Sequence, residues 1–187
     1  ERGGFSWASS LAETDAEREN PWLLLDRQFS GGVVAAVGDD PACKSSTIPS
    51  ASEGVLADLC MPTLYPGSVQ DVLDMGRWAY ELSRACGSWV GLKIHTEVAD
   101  QYATVNVDPS RLGDISRPDF GGWTPAHDPN MVIPVSLQVE ADTFGPRLDA
   151  ARKFVAHNRL DRTTGATRGS FGIMAAGKAS ADVCSAL

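Results

Sequence analysis

Paired cysteines are missing from this sequence: Cys43, Cys60, Cys86 and Cys184 lie far apart, with no CxxC. That spacing offers neither a zinc knuckle nor an iron–sulfur centre, and the residues are expected to pack as small apolar side chains. Nothing requires disulfides, so a reducing, cytoplasmic setting is the expectation. No apolar run approaches the roughly 20 residues that span a bilayer, and no signal-peptide pattern opens the chain. Basic residues are in deficit, 16 Lys and Arg against 24 Asp and Glu. The resulting net charge of −8 argues against nucleic acid or a membrane surface as partner. His95, His127 and His157 are too scattered for a helical metal pair, and no GxSxG elbow marks a serine hydrolase.

What is present is an apolar fraction of 43% in 187 residues, enough to bury a core in one domain or one and a fraction. The chain starts at Glu1 and stops within a helical pattern at Leu187, which reads as a piece of something longer. From Gly31 onward, strand and helix signals alternate. Val33 to Val37 form a short continuous apolar run, as in a strand buried on both faces of a parallel sheet. Ser50 to Cys60 reads as a helix and Pro62 to Tyr65 as a second strand. Ser68 with Asp71 marks the start of a helix running to about Arg84, with Gly87 at its exit. Trp89 to Thr96 reads as a third strand, and the alternation at Ala103, Val105 and Val107 as an edge strand. The stretch from Arg111 to Pro146, dense in proline, glycine and aspartate, reads as a linker or surface loop. A helix from Arg147 to Asn158, a strand from Ser170 to Ala175 and a helix from Lys178 to Leu187 read as the opening of a further α/β unit. The first thirty residues carry an acidic helical stretch from Leu11 to Glu19 and little else.

The most informative segment is Gly31 to Thr47, GGVVAAVGDDPACKSST, where an apolar strand ends at a glycine and opens into charge. In parallel sheets ligands collect at the carboxyl ends of strands, so Asp39, Asp40, Lys44, Ser45, Ser46 and Thr47 are the candidate binding residues. Lys44 has the chemistry to pair with an aspartate or attract a carboxylate. The plainer alternative is a polar turn shaped by Asp40-Pro41, with Ser46 or Thr47 capping a helix. The segment also differs at one position from a phosphate-binding GxxxxGK[ST] loop. Cys43 stands where the second glycine would be, and Asp39 and Asp40 would repel a phosphate, so nucleotide binding is the least favoured reading.

The segments GVVAAVGDDPACKSST, MPTLYPGSVQDVLDMGRWAYELSRACGSWVGLKI, NRLDR and GIMAAGKASADVCSAL resemble, in order, the indolepyruvate ferredoxin oxidoreductase family. The resemblance implies an α/β fold: a three-layer, Rossmann-like pyrimidine domain of a thiamine diphosphate enzyme, with a mostly parallel sheet, over residues 31–110. A linker would follow over 111–146, and the start of a transketolase C-terminal-like domain over 147–187. It implies oxidative decarboxylation of aryl-2-oxoacids to acyl-coenzyme A with electrons passed to ferredoxin, the cofactor carrying the difficult step. Thiamine diphosphate and its magnesium would be bound jointly with a complementary diphosphate-binding domain or subunit, in a dimer or heteromer, with iron–sulfur clusters in other parts. Asp39, Asp40, Lys44, Ser45, Ser46, Thr47 and Glu53 would line the aminopyrimidine side.

The sequence departs from the family pattern upstream. Asp26-Arg27 echoes a family Asp-Arg pair, but ENPWLLLDRQF lacks the glycine-rich stretch before it, and Glu13 is a poorly placed counterpart of the activating glutamate. No GDG…N motif for magnesium and diphosphate is present. The isolated chain is therefore expected to be inactive, and a noncatalytic α/β scaffold or ligand-binding module derived from the family is the alternative.

Overall fold

A computed structural model describes residues 32–126, 132–165 and 168–187 of the chain. The expected helix at Leu11 to Glu19, together with Glu13, Asp26, Arg27 and His127, lies outside the described residues. The fold is α/β and Rossmann-like, built, among the described residues, on an open, all-parallel sheet of three strands with helices on both faces.

Strand β1 (Val34–Asp39) is not buried on both faces as expected: Ala35, Val37 and Asp39 are buried in alternation with exposed Ala36 and Gly38, because helix packing covers the second face only near Val34. Strand β3 (Val90–His95) lies between it and the short β2 (Thr63–Leu64). Val37 stands opposite Lys93, and Asp39 opposite His95. On one face Ala35, Val37 and Trp89 pack against Leu56 and Leu59, which belong to or directly follow α1 (Glu53–Asp58). On the other, Val34 and Val90 meet Ala79, Leu82 and Cys86 of α2 (Val69–Cys86), with Ala150, Ala151 and Phe154 of a later helix completing the cluster.

Helix α2 forms where its end signals predict. The Ser68 hydroxyl accepts from Asp71 N–H at 3.1 Å, and the Asp71 carboxylate accepts from Gly67 N–H at 3.2 Å, a reciprocal cap. At the other end Gly87 adopts φ 70° and its N–H donates to Ser83 C=O at 2.8 Å. Helix α1 is shorter than the expected Ser50 to Cys60. The Ser50 hydroxyl accepts from Asp40 N–H and Ser52 binds Asp39, so these serines serve the loop, and Cys60 at φ 50° ends the helical path.

Three expectations beyond β3 are corrected. After the short α3 (Thr96–Ala99), Ala103 to Val107 is no edge strand: Asn106 exchanges its backbone hydrogen bonds with the Gln70 side chain of α2, and Val107 is exposed. Arg111 to Pro146 is more than a loop. It follows from a 3-10 turn at Pro109–Leu112, lays Ile115, Phe120 and Trp123 onto the α2 core, and contains α4 (Val135–Asp142), which continues through a π-type turn (Thr143–Arg147) into α5 (Leu148–Asn158). Spaced aromatics supply the area that fastens this strap, Phe120 and Trp123 meeting edge to face at 6.1 Å. Arg147, fully buried, donates to Gly87 C=O at 2.9 Å and Ala126 C=O at 3.1 Å, tying strap to α2. Ser170 to Ala175 is not a strand; Phe171, Ile173 and Met174 are exposed, with no neighbouring strand to pair them among the described residues. Helix α6 (Lys178–Ala186) forms as expected. Among the described residues no helix is long and apolar enough to cross a membrane.

Candidate functional site

The carboxyl ends of β1 and β3, with Tyr65 just beyond β2, meet at one edge of the sheet, and two adjacent aspartates there do different work. Asp40 organises its own loop. Its carboxylate accepts from the backbone N–H of Lys44 at 2.8 Å, Ser45 at 2.7 Å and Ser46 at 2.9 Å. Its backbone C=O accepts from Cys43 and Ser50 N–H. The Ser45 amide, helped by those of Lys44 and Ser46, outweighs burial and holds the carboxyl down at about 2. These converging amides are the groups a phosphate cradle would use, and a carboxylate of the chain already fills them. Cys43 takes the left-handed φ of 55° that a glycine would adopt more cheaply. The loop therefore has the outline of an anion cradle with an internal occupant.

Asp39 anchors a buried ion cluster. Its carboxylate accepts from Ser52 N–H at 2.8 Å and from the Ser52 hydroxyl at 2.5 Å, while Lys93 Nζ lies 3.2 Å from Oδ2. The Lys93 and Asp39 side chains are 3% and 0% exposed. The same ammonium pairs with Glu53, whose side chain is 60% exposed, and sits 4.2 Å from the centre of the Tyr65 ring. Burial pulls the Lys93 pKa down, but hydrogen bonds to Glu53 and Asp39 outweigh it and raise it overall, so Lys93 is a cation and not a nucleophile. The hydrogen bond from Lys93, against the opposing effect of burial, holds Glu53 below the usual carboxylate range. Thr96 Oγ1 completes the edge by donating to Asp39 C=O at 2.9 Å.

The sequence-derived candidates thus divide. Asp39 and Glu53 are brought together through Lys93, and Asp40 is joined to Lys44, Ser45 and Ser46 through backbone amides. The Lys44 ammonium turns to Asp100, 4.0 Å away with both side chains half exposed or more, and Thr47 stands exposed on the loop. Lys93 and Tyr65 were missed by sequence reasoning. The available signal was a lysine inside WVGLKIHT, because a charge in the central strand of a parallel sheet requires a buried partner. Among the described residues no group of three or more His, Cys, Asp or Glu side chains is placed to hold a metal ion.

Over 98 residues the chain is similar to an oxidoreductase subunit. It is 30% identical to the indolepyruvate oxidoreductase subunit IorA of Pyrococcus horikoshii and 31% identical to that of Pyrococcus abyssi, in each case over 49% of this chain. The chain spans 15% of the length of either relative. No family profile and no solved structure matches it. The chain is thus distantly related, over about half its length, to an indolepyruvate oxidoreductase subunit.

Proposed function

We propose that this chain is part of a thiamine diphosphate-dependent 2-oxoacid:ferredoxin oxidoreductase and supplies the aminopyrimidine side of a shared active site. The observation that carries the reading is the similarity to the two IorA subunits, in a chain whose polar cluster lies at the carboxyl edge of an all-parallel sheet. The described residues do not fit the diphosphate and magnesium of that cofactor: the amides of Lys44, Ser45 and Ser46 are taken by Asp40, and no metal-holding group is present among them. That half of the cofactor belongs to a complementary domain or subunit. Beside the loop the described residues leave room for a flat ring. Ala36 is exposed on the second face of β1, and a Cβ built at Gly38 meets nothing within 4 Å.

When bound, the cofactor supplies the nucleophilic carbon and electron sink for decarboxylation. This chain's residues would hold the site in shape: Asp40 keeps the loop closed, while Lys93 and Ser52 hold the Asp39 carboxylate in place at the strand end. Coenzyme A, ferredoxin and an aryl-2-oxoacid are the co-substrates of the reading, and iron–sulfur clusters would lie in other parts of the assembly.

The internal engagement of Asp39, Asp40 and Glu53 favours a second reading, a noncatalytic module descended from such an enzyme. The two separate on one assay of the full-length protein with its complementary subunit. Indolepyruvate-dependent, coenzyme A-dependent reduction of ferredoxin that requires thiamine diphosphate and magnesium is expected. Full assembly with neither turnover nor thiamine diphosphate binding leaves the scaffold reading in its place.

A further inference from the structure

The buried ion cluster has one fixed carboxylate and one loose one. Asp39 is locked by the Ser52 N–H and hydroxyl and is fully withdrawn from solvent. Glu53 reaches the same ammonium from the first position of the short helix α1, yet its side chain is 60% exposed, and its carboxylate is held by Lys93 and its own backbone N–H. The ammonium is kept in place from beneath by the Tyr65 ring, itself backed by Gly177, where an added Cβ would lie 2.5 Å from the ring. Lys93 is therefore a preset cation whose outer carboxylate partner is largely exposed.

We propose that Glu53 is a displaceable plug and that Lys93 binds the carboxylate of a small organic acid in its place. The exchange swaps one carboxylate for another, so the buried cluster keeps its net charge and no uncompensated ion is left behind. Asp39 cannot be the leaving group, because it would forfeit both Ser52 bonds as well as the lysine. Glu53 gives up the lysine contact and the bond to its own backbone N–H and moves into water, which solvates a side chain already mostly exposed. The cluster lies at the carboxyl edge of β1 and β3, next to the Asp40 loop. That the acid is a 2-oxoacid rests on the function proposed above; the exchange itself rests on the geometry of the cluster.

Calorimetric titration of the full-length protein with phenylpyruvate, and with uncharged phenylacetamide as comparison, tests this. Phenylpyruvate is expected to bind and the amide not to. Glu53→Ala removes the competitor and is expected to tighten phenylpyruvate binding about fivefold. Lys93→Met combined with Asp39→Asn, which leaves no unpaired charge, is expected to abolish binding. Binding that is unchanged or weakened by Glu53→Ala, or absent in the wild type, overturns the proposal. If the double variant does not fold, the Glu53→Ala titration still decides. Tightening without thiamine-dependent turnover keeps the exchange and removes the oxidoreductase reading, whereas turnover without tightening does the reverse.

Discussion

Lys93 Nζ lies 3.2 Å from Asp39 Oδ2, with the two side chains 3% and 0% exposed. One residue comes from the central strand and the other from the last position of its neighbour, so the pair fastens β1 to β3 at the edge where the acidic loop leaves the sheet. A buried pair of this kind adds little net stability over apolar packing, but it is costly to break on one side only.

Lys93→Met is therefore expected to destabilise the fold by about 3–5 kcal/mol, since it strands the Asp39 carboxylate. Adding Asp39→Asn should return a substantial part of the loss. Urea unfolding of the wild type, both single variants and the double variant measures the coupling. Single-variant losses that simply add in the double would show that the two side chains do not depend on each other.

Asp40 predicts an acid-sensitive loop. Its carboxyl ionises at about 2 in the folded chain against an ordinary 3.8, first because of the Ser45 amide. A lowered folded pKa contributes stability that is complete above 3.8 and disappears as the pH falls from there through about 2. The stability difference between wild type and Asp40→Asn should accordingly be largest near neutral pH and shrink across that window. Paired denaturant titrations at a series of pH values read it directly, and a pH-independent difference would contradict the assignment.

Gly177 precedes α6 at φ 59°, and a Cβ there would sit 2.5 Å from Tyr65 Cε2. Gly177→Ala should loosen the docking of this helix at a cost of about 1–3 kcal/mol, combining backbone strain with the clash. Gly172→Ala, where a Cβ meets nothing within 4 Å, is the matched control and should change stability by no more than about 0.5 kcal/mol. Amide hydrogen exchange across Lys178–Ala186 reports the difference, which should be confined to the Gly177 variant.

The cysteines should separate by reactivity. Burial pushes the Cys86 thiol up to about 11, and the residue is inaccessible at the α2 terminus, whereas Cys184 is exposed on α6. Iodoacetamide near neutral pH is expected to label Cys184 in the native protein and Cys86 only after unfolding, as mapped by peptide mass analysis. Native labelling of Cys86 would mean that α2 and β3 separate readily.

Legibility in the sequence followed the range of the interactions involved. The ends of α2 were readable because Ser68, Asp71 and Gly87 act on backbone within a few residues of themselves. The alternation at Ala103 to Val107 misled because a strand also needs a partner, and Gln70 took the Asn106 hydrogen bonds instead. Ser170 to Ala175 failed in the same way, with apolar residues left exposed and no adjacent strand among the described residues. Most candidate site residues were legible as a polar loop after a buried strand. Lys93 and Tyr65 were not, because nothing near them in the chain announces the Asp39 carboxylate they serve.

By itself, the amino-acid order determined the α/β alternation, the existence of strand β1, the capped α2 and the place where charge follows a strand, all through contacts between near neighbours. The tertiary structure alone decided which charges meet. Parallel register sets Val37 opposite Lys93, which brings that lysine diagonally onto Asp39 and beneath Glu53. Loop folding turns the Asp40 carboxylate inward onto the amides that would otherwise face an external anion. Both outcomes follow from the cost of leaving a buried charge or amide without a partner, and that cost is set only when distant segments of the chain are packed together.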